Sequence, residues 1–227
     1  MDSTDLPKTG FLANASQELT NLLNSVATEV DLAEGEVLFE QGAPGDALYA
    51  IIKGSLEFSI LSREGRKLSL DVMRPGALFG EISLFDPGMR TATVTALEPS
   101  RVRGVKNADV LQKIRETPDL GIDMIQLAGK RMRWMGSQLN EQVFLPMPAR
   151  LARKILYLTV DGSEQLAMLT LSQAELAEFV GATREAVSKT LSLWKRAGVI
   201  DASRGGVKVL DLSLIHISEP TRLESKS

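Results

Sequence analysis

Pro75-Gly76-Ala77-Leu78-Phe79-Gly80-Glu81-Ile82-Ser83-Leu84-Phe85 runs directly into Asp86-Pro87-Gly88-Met89-Arg90-Thr91-Ala92, a glycine-punctuated turn that carries Glu81 and Arg90. Gly80 frees the backbone so that successive N–H groups can point at an anion, as a nest or a short helix N-terminus does. Arg90 adds a delocalised, always-charged fork that matches phosphate oxygens. Glu81 is itself an anion and cannot be a phosphate ligand, but its carboxylate can accept hydrogen bonds from a ribose hydroxyl. The three parts together read as a nucleotide pocket.

On either side, from Val30 to about Lys106, short β-prone runs alternate with turn signals at Gly35, Gly42-Ala43-Pro44-Gly45-Asp46, Gly54, Gly65, Pro75-Gly76 and Pro87-Gly88. Their spacing of roughly ten residues predicts a small antiparallel barrel or jelly roll. Leu48, Ala50 and Ile52, then Leu56, Phe58 and Ile60, show the period-2 alternation of half-buried strands. Gly45 and Gly54 are assigned to turns. Ahead of this region Ser16 caps a short amphipathic helix with Leu19, Leu22, Leu23 and Val26 on one face.

Downstream, Pro118 marks a helix start, and no proline follows until Pro146. Ile125, Met132 and Leu139 share one heptad position, and Ala128 and Met135, with Gln142 closing the seam, share the other. Such a stripe suits packing on its own domain or a two-fold coiled coil. The length of the segment, with Gly121, Ala128 and Gly136 along it, favours the dimer. Trp134 lies beside the seam. Pro146-Met147-Pro148 then breaks the helix and is read as a hinge, because proline removes a donor and clashes with the preceding turn. A further helix from Ala149 to Val160 turns Leu151, Ile155 and Leu158 inward.

The C-terminal part carries a second motif. Ser172 and Glu175 form a capping box, Leu176, Phe179 and Val180 give that helix its core face, and Gly181 ends it. Thr183 caps a second helix at once, with Val187, Leu191 and Trp194 inward and Gly198 as its stop. Two capped helices joined by Gly-x-Thr read as a helix-turn-helix. Arg184, Glu185, Ser188 and Lys189 cluster at the N-terminal end of the second helix, the part that enters the major groove in this motif. Arg184 is placed to bond guanine O6 and N7, Glu185 to accept from cytosine N4, and Lys189 to donate to guanine or phosphate. Val199 to Leu210 reads as a two-stranded wing with Arg204 and Lys208 near phosphates.

Charge and composition agree with this division. The chain of 227 residues has net charge −3. Residues 1–145 hold 15 Lys+Arg against 20 Asp+Glu, a net −5, while residues 146–227 hold 11 against 9, a net +2. The asymmetry permits nucleic-acid binding at the C-terminal end. With no cysteine and the single histidine at His216, disulfides, thiolate chemistry, metal ligation and histidine acid–base catalysis have almost nothing to work with, so no enzyme is expected. No signal peptide and no membrane-spanning run is evident, and a cytoplasmic location is expected.

Phe-Gly-Glu, a spacer of eight residues and Arg-Thr-Ala resemble the phosphate-binding cassette of cyclic-nucleotide-binding domains. Thr183-Arg184-Glu185-Ala186-Val187-Ser188-Lys189 resembles the Arg-Glu-x-x-x-Arg reader of the cyclic-AMP receptor branch of the Crp/Fnr superfamily of bacterial transcription regulators, with Lys189 where arginine is usual. The resemblance covers approximately residues 16–212. It implies an α+β chain: a jelly-roll nucleotide domain over 1–117, a dimerisation helix over 118–145, a winged helix-turn-helix over 146–212, and a tail over 213–227. In the implied pocket Phe79, Gly80, Glu81, Ile82, Ser83, Arg90, Thr91 and Ala92 line the ligand, with Arg131 and Met135 contributed by the long helix. Gly80 offers backbone, Glu81 the ribose contact, Arg90 and Thr91 the cyclic phosphate contacts, and Ser83 a further polar contact. The reader implied is Thr183, Arg184, Glu185, Ser188, Lys189, Arg204 and Lys208 on double-stranded DNA with TGTGA-like palindromic half-sites. RNA polymerase is the further partner the family implies.

Two departures bear on the ligand. The Thr-Ser pair that contacts the base in cyclic-AMP receptors falls on Met135-Gly136, with Ser137 one residue away. Arg-Thr-Ala resembles cyclic-GMP-binding domains, in which threonine contacts guanine. The expected order is cyclic AMP, cyclic GMP, and then a regulator without nucleotide control. The tail from Leu212 to Ser227 fits no part of the family pattern and reads as an extension or as non-native sequence.

Overall fold

The computed structural model describes residues 6–159, 168–203 and 206–211. The readings placed on Val160, Arg204 and the tail lie outside the described residues. The chain divides into two compact units, Met1–Met135 and Gly136–Ser227.

In the first unit the turn-punctuated β region forms two four-stranded antiparallel sheets. One has the order β1 (Thr28–Leu32), β8 (Ser100–Lys106), β3 (Ala47–Lys53), β6 (Leu78–Phe79). The other has the order β2 (Val37–Phe39), β7 (Thr93–Ala96), β4 (Leu56–Leu61), β5 (Lys67–Met73). Leu32, Ile51, Leu56, Phe79, Val94 and Val102 form one buried cluster of the sandwich. A second cluster joins Leu48, Ala50 and Val105 to Leu19, Leu22 and Leu23 of α1 (Gln17–Ser25), Val110 of α3 (Asn107–Glu116), and Leu120, Met124 and Leu127 of α4 (Asp119–Phe144). β3 therefore lies between two cores. Ile51 is fully buried along with Leu48 and Ala50, whereas Ile52 is only partly buried. The simple alternation expected for this strand fails because helices cover the outer face of its sheet, and a strand covered on both sides is apolar on both.

Other local expectations change in the same way. The sequence reading placed no helix over 107–116, where α3 forms. Val26 is half exposed at the end of α1 rather than packed with Leu19, Leu22 and Leu23. Gly54 (φ +81°) does turn the chain between β3 and β4. Gly45 has no positive φ; it is small because an added Cβ would overlap the Ser83 side chain. Ser16 caps α1 through Leu19 N at 3.1 Å and also donates to the buried Asp123 carboxylate, which pins α1 to α4.

Helix α4 packs on the sandwich through Leu120, Asp123, Met124 and Leu127. The heptad stripe is a different face. Ile125 and Met132 are each 72% exposed and Leu139 is 66% exposed, so among the described residues these side chains do not pack into the core of their own unit. The boundary between the compact units falls inside this helix rather than at Pro146. Its first half is bound to the sandwich core, and its last turn is bound to the next helix in the chain. There Arg150 donates through Nη1 to Leu145 O (3.1 Å) and Gln142 O (3.3 Å), and Arg153 pairs with Glu141 at 3.3 Å. These bonds satisfy carbonyls left open where proline stops the helix.

The second unit comprises α5 (Met147–Thr159), α6 (Gln173–Val180), α7 (Arg184–Arg196) and the hairpin β9 (Ile200–Ser203) with β10 (Gly206–Val209). Leu151, Ile155, Leu176, Phe179, Val187, Leu191, Trp194, Ile200 and Val207 are buried here. Leu169 extends the hairpin by reciprocal backbone bonds with Val207, at 2.8 and 2.9 Å.

Candidate functional site

The cassette begins where β6 ends. Gly80 has φ +87°, and a Cβ there would come within 2.8 Å of Ala47 O and 3.0 Å of Arg90 Nη1, so both the backbone angle and the space require glycine. Glu81 follows and leads into the single turn α2 (Ile82–Phe85). Ser83 Oγ donates back to Gly80 O at 3.1 Å. The glycine-rich loop over 42–45 is stitched to the far end of the cassette by Gly42 N to Arg90 O (2.8 Å), Arg90 N to Ala43 O (2.7 Å) and Gly45 N to Gly88 O (3.0 Å). These bonds fix where the Arg90 side chain leaves the backbone.

The Arg90 guanidinium is buried, with the residue 6% exposed. Nη1 donates to Ala47 O at 3.0 Å and lies 3.4 Å from both Gly80 O and Ser83 Oγ. Nη2 is 3.6 Å from the exposed Asp46 carboxylate, and Nε has no hydrogen-bond partner among the described residues. The guanidinium carbon lies 4.2 Å from the centre of the Phe39 ring and 5.6 Å from that of Tyr49. Burial draws the Arg90 pKa below its ordinary value, against the opposing pull of Tyr49, Asp46 and Glu81, and burial pushes the Tyr49 phenol up. Arginine stays cationic through such shifts.

Glu81 is 3% exposed and accepts from Arg131 Nε at 3.1 Å. Arg131 also reaches Leu78 O at 3.5 Å and lies 5.5 Å from the Trp134 ring. The carboxylate assigned to a ribose thus has a cationic partner from α4, and the pair links the cassette directly to the long helix. Burying a carboxylate is costly unless such a partner is present.

The structure gathers Phe79, Gly80, Glu81, Ser83, Arg90 and Arg131 into one site. Ile82 and Thr91 are exposed, Ala92 is half-buried, and Met135 lies on the exposed face of α4. Sequence reasoning missed three contributors. Phe39 and Tyr49 form the surface beneath Arg90, and their signal was two aromatics flanking a glycine-rich loop. Asn107, the first residue of α3, donates to Ser83 O at 3.1 Å and Ser83 Oγ at 3.2 Å, tying the cassette to a helix that had not been foreseen.

In the second unit, both halves of the capping box form: Ser172 N donates to Glu175 Oε2 at 2.7 Å and Glu175 N to Ser172 Oγ at 3.2 Å. Gly181 is left-handed at φ +60°, and Thr183 Oγ1 accepts from Ala186 N at 3.3 Å to start α7. Val187, Leu191 and Trp194 anchor α7 inward, which leaves Thr183, Arg184, Glu185 and Lys189 exposed and Ser188 half-buried. Lys208 is exposed on β10, while Lys195 is engaged by Asp201 at 3.6 Å. An unobstructed row of charged side chains on the first turns of the second helix is what major-groove reading requires. Among the described residues no helix is long and apolar enough to cross a membrane, and no group of three or more His, Cys, Asp or Glu could hold a metal ion.

A β sandwich with a phosphate-type cassette, together with an exposed helix-turn-helix, defines a regulator that carries sensing and DNA-binding parts in one chain. A family model described as "Cyclic nucleotide-binding domain" matches residues 29–117, and one described as "Crp-like helix-turn-helix domain" matches residues 149–215. The chain is 31% identical to the Cyclic AMP receptor protein of Thermus thermophilus, over 82% of this chain and 90% of that protein. It is 29% identical to a CRP-like cAMP-activated global transcriptional regulator of Mycobacterium tuberculosis, over 91% of this chain and 94% of that one. Among solved structures, a CRP/FNR-family transcriptional regulator from Thermus thermophilus is similar at TM-score 0.73 and 26% identity, covering 85% of this chain and 99% of that one. The chain belongs to the Crp/Fnr family of transcription regulators.

Proposed function

We propose that this regulator is a cytoplasmic homodimer switched by a cyclic nucleotide, with cyclic AMP the first candidate and cyclic GMP the alternative. The observation that carries the reading is the buried Arg90, held against a glycine-opened turn with its Nε donor unpartnered among the described residues. A buried guanidinium with an unsatisfied donor is costly, and an anion that meets that donor offsets the cost. Gly80 and Ser83 then supply neutral polar contacts, Arg90 and Thr91 the phosphate contacts, and Glu81 the ribose contact. The names of the relatives from Thermus and Mycobacterium support cyclic AMP.

Arg131 is the proposed link to the DNA-binding part. A ribose that takes up Glu81 changes the hydrogen bonding of Arg131 and so shifts the population of α4 conformations near Met135. The exposed stripe of Ile125, Met132, Met135 and Leu139 is proposed as the seam with a second copy. Rotation about residues 146–148, which would exchange the Arg150 and Arg153 bonds to the last turn of α4 for others, would bring both copies of α7 onto successive major grooves, roughly 34 Å apart. Thr183, Arg184, Glu185, Ser188 and Lys189 would meet TGTGA-like half-sites, Arg204 and Lys208 would lie near phosphates, and RNA polymerase would be the downstream partner. The proposed parts are residues 1–117, 118–145 and 146–212.

One observation favours control without nucleotide: Glu81 is already paired with Arg131 in this structure. Calorimetric titration with cyclic AMP and cyclic GMP, followed by gel shifts on a palindromic TGTGA-type duplex, separates the readings. Micromolar binding that tightens the DNA complex is the expected result. DNA binding indifferent to both nucleotides would favour the ligand-independent regulator.

A further inference from the structure

Phe39 belongs to no part of the cassette motif, yet it is the side chain on which the Arg90 guanidinium lies, 4.2 Å from ring centre to guanidinium carbon. The ring sits in an aromatic platform. Its centroid is 5.9 Å from Tyr49 and 6.2 Å from Phe79; Tyr49 stacks on Phe79 at 5.5 Å, and Phe58 meets Phe79 edge-on at 5.0 Å. Phe79 is fully buried. Tyr49 is held from its other side by Gly104, where a Cβ would come within 2.8 Å of the ring. The platform therefore has little freedom to shift.

Each part of the guanidinium has a distinct neighbour. The guanidinium carbon sits over the Phe39 ring, and Nη1 is tied to Ala47 O at 3.0 Å. The Nε–Nη2 edge, whose Nε has no hydrogen-bond partner among the described residues and whose Nη2 faces the exposed Asp46 carboxylate at 3.6 Å, is the fork that meets two oxygens of one phosphate side-on. An arginine side chain has several rotatable bonds, so aiming that edge needs contacts that fix both the plane and the rotation of the guanidinium. Ala47 O fixes the rotation, and the aromatic face fixes the plane. Cation–π attraction is stronger for a desolvated cation, and Arg90 is desolvated here.

We propose that Phe39, backed by Tyr49 and Phe79, is a positioning residue that aims Arg90 at the phosphate of the bound nucleotide. The inference rests on the nucleotide reading of the cassette. It acts through Arg90 alone, since Phe39 needs no contact with the ligand.

A double-mutant cycle tests it, with cyclic AMP and cyclic GMP each titrated calorimetrically into the full chain. The proteins are wild type, Phe39→Leu, Phe39→Tyr, Arg90→Gln and Phe39→Leu/Arg90→Gln, each checked for an unchanged far-ultraviolet circular dichroism spectrum. Phe39→Leu is expected to weaken binding about 5- to 30-fold. Phe39→Tyr keeps the ring and stays within about threefold of wild type. In the Arg90→Gln background the Phe39→Leu change adds nothing, because the group it positions is gone. Losses that add in the double variant, or a Phe39→Leu protein that binds as wild type, overturn the inference. An Arg90→Gln protein that binds as tightly as wild type overturns the nucleotide reading itself, as does failure of wild type to bind either nucleotide. A Phe39→Leu protein that does not fold transfers the cycle to Tyr49→Leu, on the same platform and 5.6 Å from the guanidinium, with the same criteria.

Discussion

Replacing Gly80 with alanine puts two separable costs on the cassette. The first is backbone strain: an L-residue held at φ +87° costs about 1–2 kcal/mol, of which the lower entropy of the unfolded alanine chain recovers about 0.4–1 kcal/mol. The second is steric. The new Cβ would lie 2.8 Å from Ala47 O and 3.0 Å from Arg90 Nη1, two atoms that already hydrogen-bond to each other. Relieving this overlap means moving backbone or breaking that bond, which costs about 1–3 kcal/mol. Gly65→Ala supplies the control, because Gly65 has φ +75° and nothing lies within 4 Å of its added Cβ. It should show only the first cost, about 1 kcal/mol or less net. The difference between the variants isolates the steric cost at roughly 2 kcal/mol, about 4–8 °C in the midpoint of the transition. Scanning calorimetry, followed by cyclic-AMP titration, reads both consequences: Gly80→Ala should melt lower than Gly65→Ala and bind nucleotide at least tenfold more weakly. Equal midpoints, or a Gly80→Ala protein with wild-type affinity, would refute the placement of Arg90 against this turn.

Leu139→Lys and Met132→Lys introduce charge on exposed positions, so light scattering should report monomers while the circular dichroism spectrum is unchanged; dimers that persist would exclude the stripe as the seam. Ser172→Ala removes the acceptor that satisfies Glu175 N and should lower the stability of the second unit by about 1 kcal/mol in urea denaturation. In a series of mutant operators Glu185→Ala should flatten the preference at a single base pair by about 1–3 kcal/mol, whereas Lys208→Ala should weaken all sequences alike and reduce the salt slope by about one.

Glycines, caps and apolar spacing made the architecture legible, because each states a local requirement that the fold then meets. Ser172, Glu175, Gly181 and Thr183 could be read as helix ends without knowledge of anything distant, and they form as read. The cassette was legible for the same reason, since Gly80 and Arg90 carry their chemistry within eleven residues of chain. What was hidden depends on contacts distant in sequence. Leu48, Ala50 and Ile51 are all buried because helices cover one face of their sheet and the second sheet covers the other, and Gly45 is small because of Ser83. Phe39 meets Arg90 across 51 positions, and Arg131 meets Glu81 across 50. Neither pairing has a periodicity or spacing that a single sequence displays.

The proposed function turns on one coupling: a ligand in the Arg90 cassette governs DNA binding by the α7 surface. Fluorescence anisotropy of a labelled palindromic TGTGA-type duplex reads that coupling, titrated with wild type and with Arg90→Leu in the presence and absence of cyclic AMP and of cyclic GMP. One nucleotide is expected to tighten the wild-type complex at least tenfold and to leave the Arg90→Leu protein, still dimeric, unresponsive. An Arg90→Leu protein that responds as wild type does, or a wild-type protein that binds equally tightly with and without either nucleotide, would contradict the coupling.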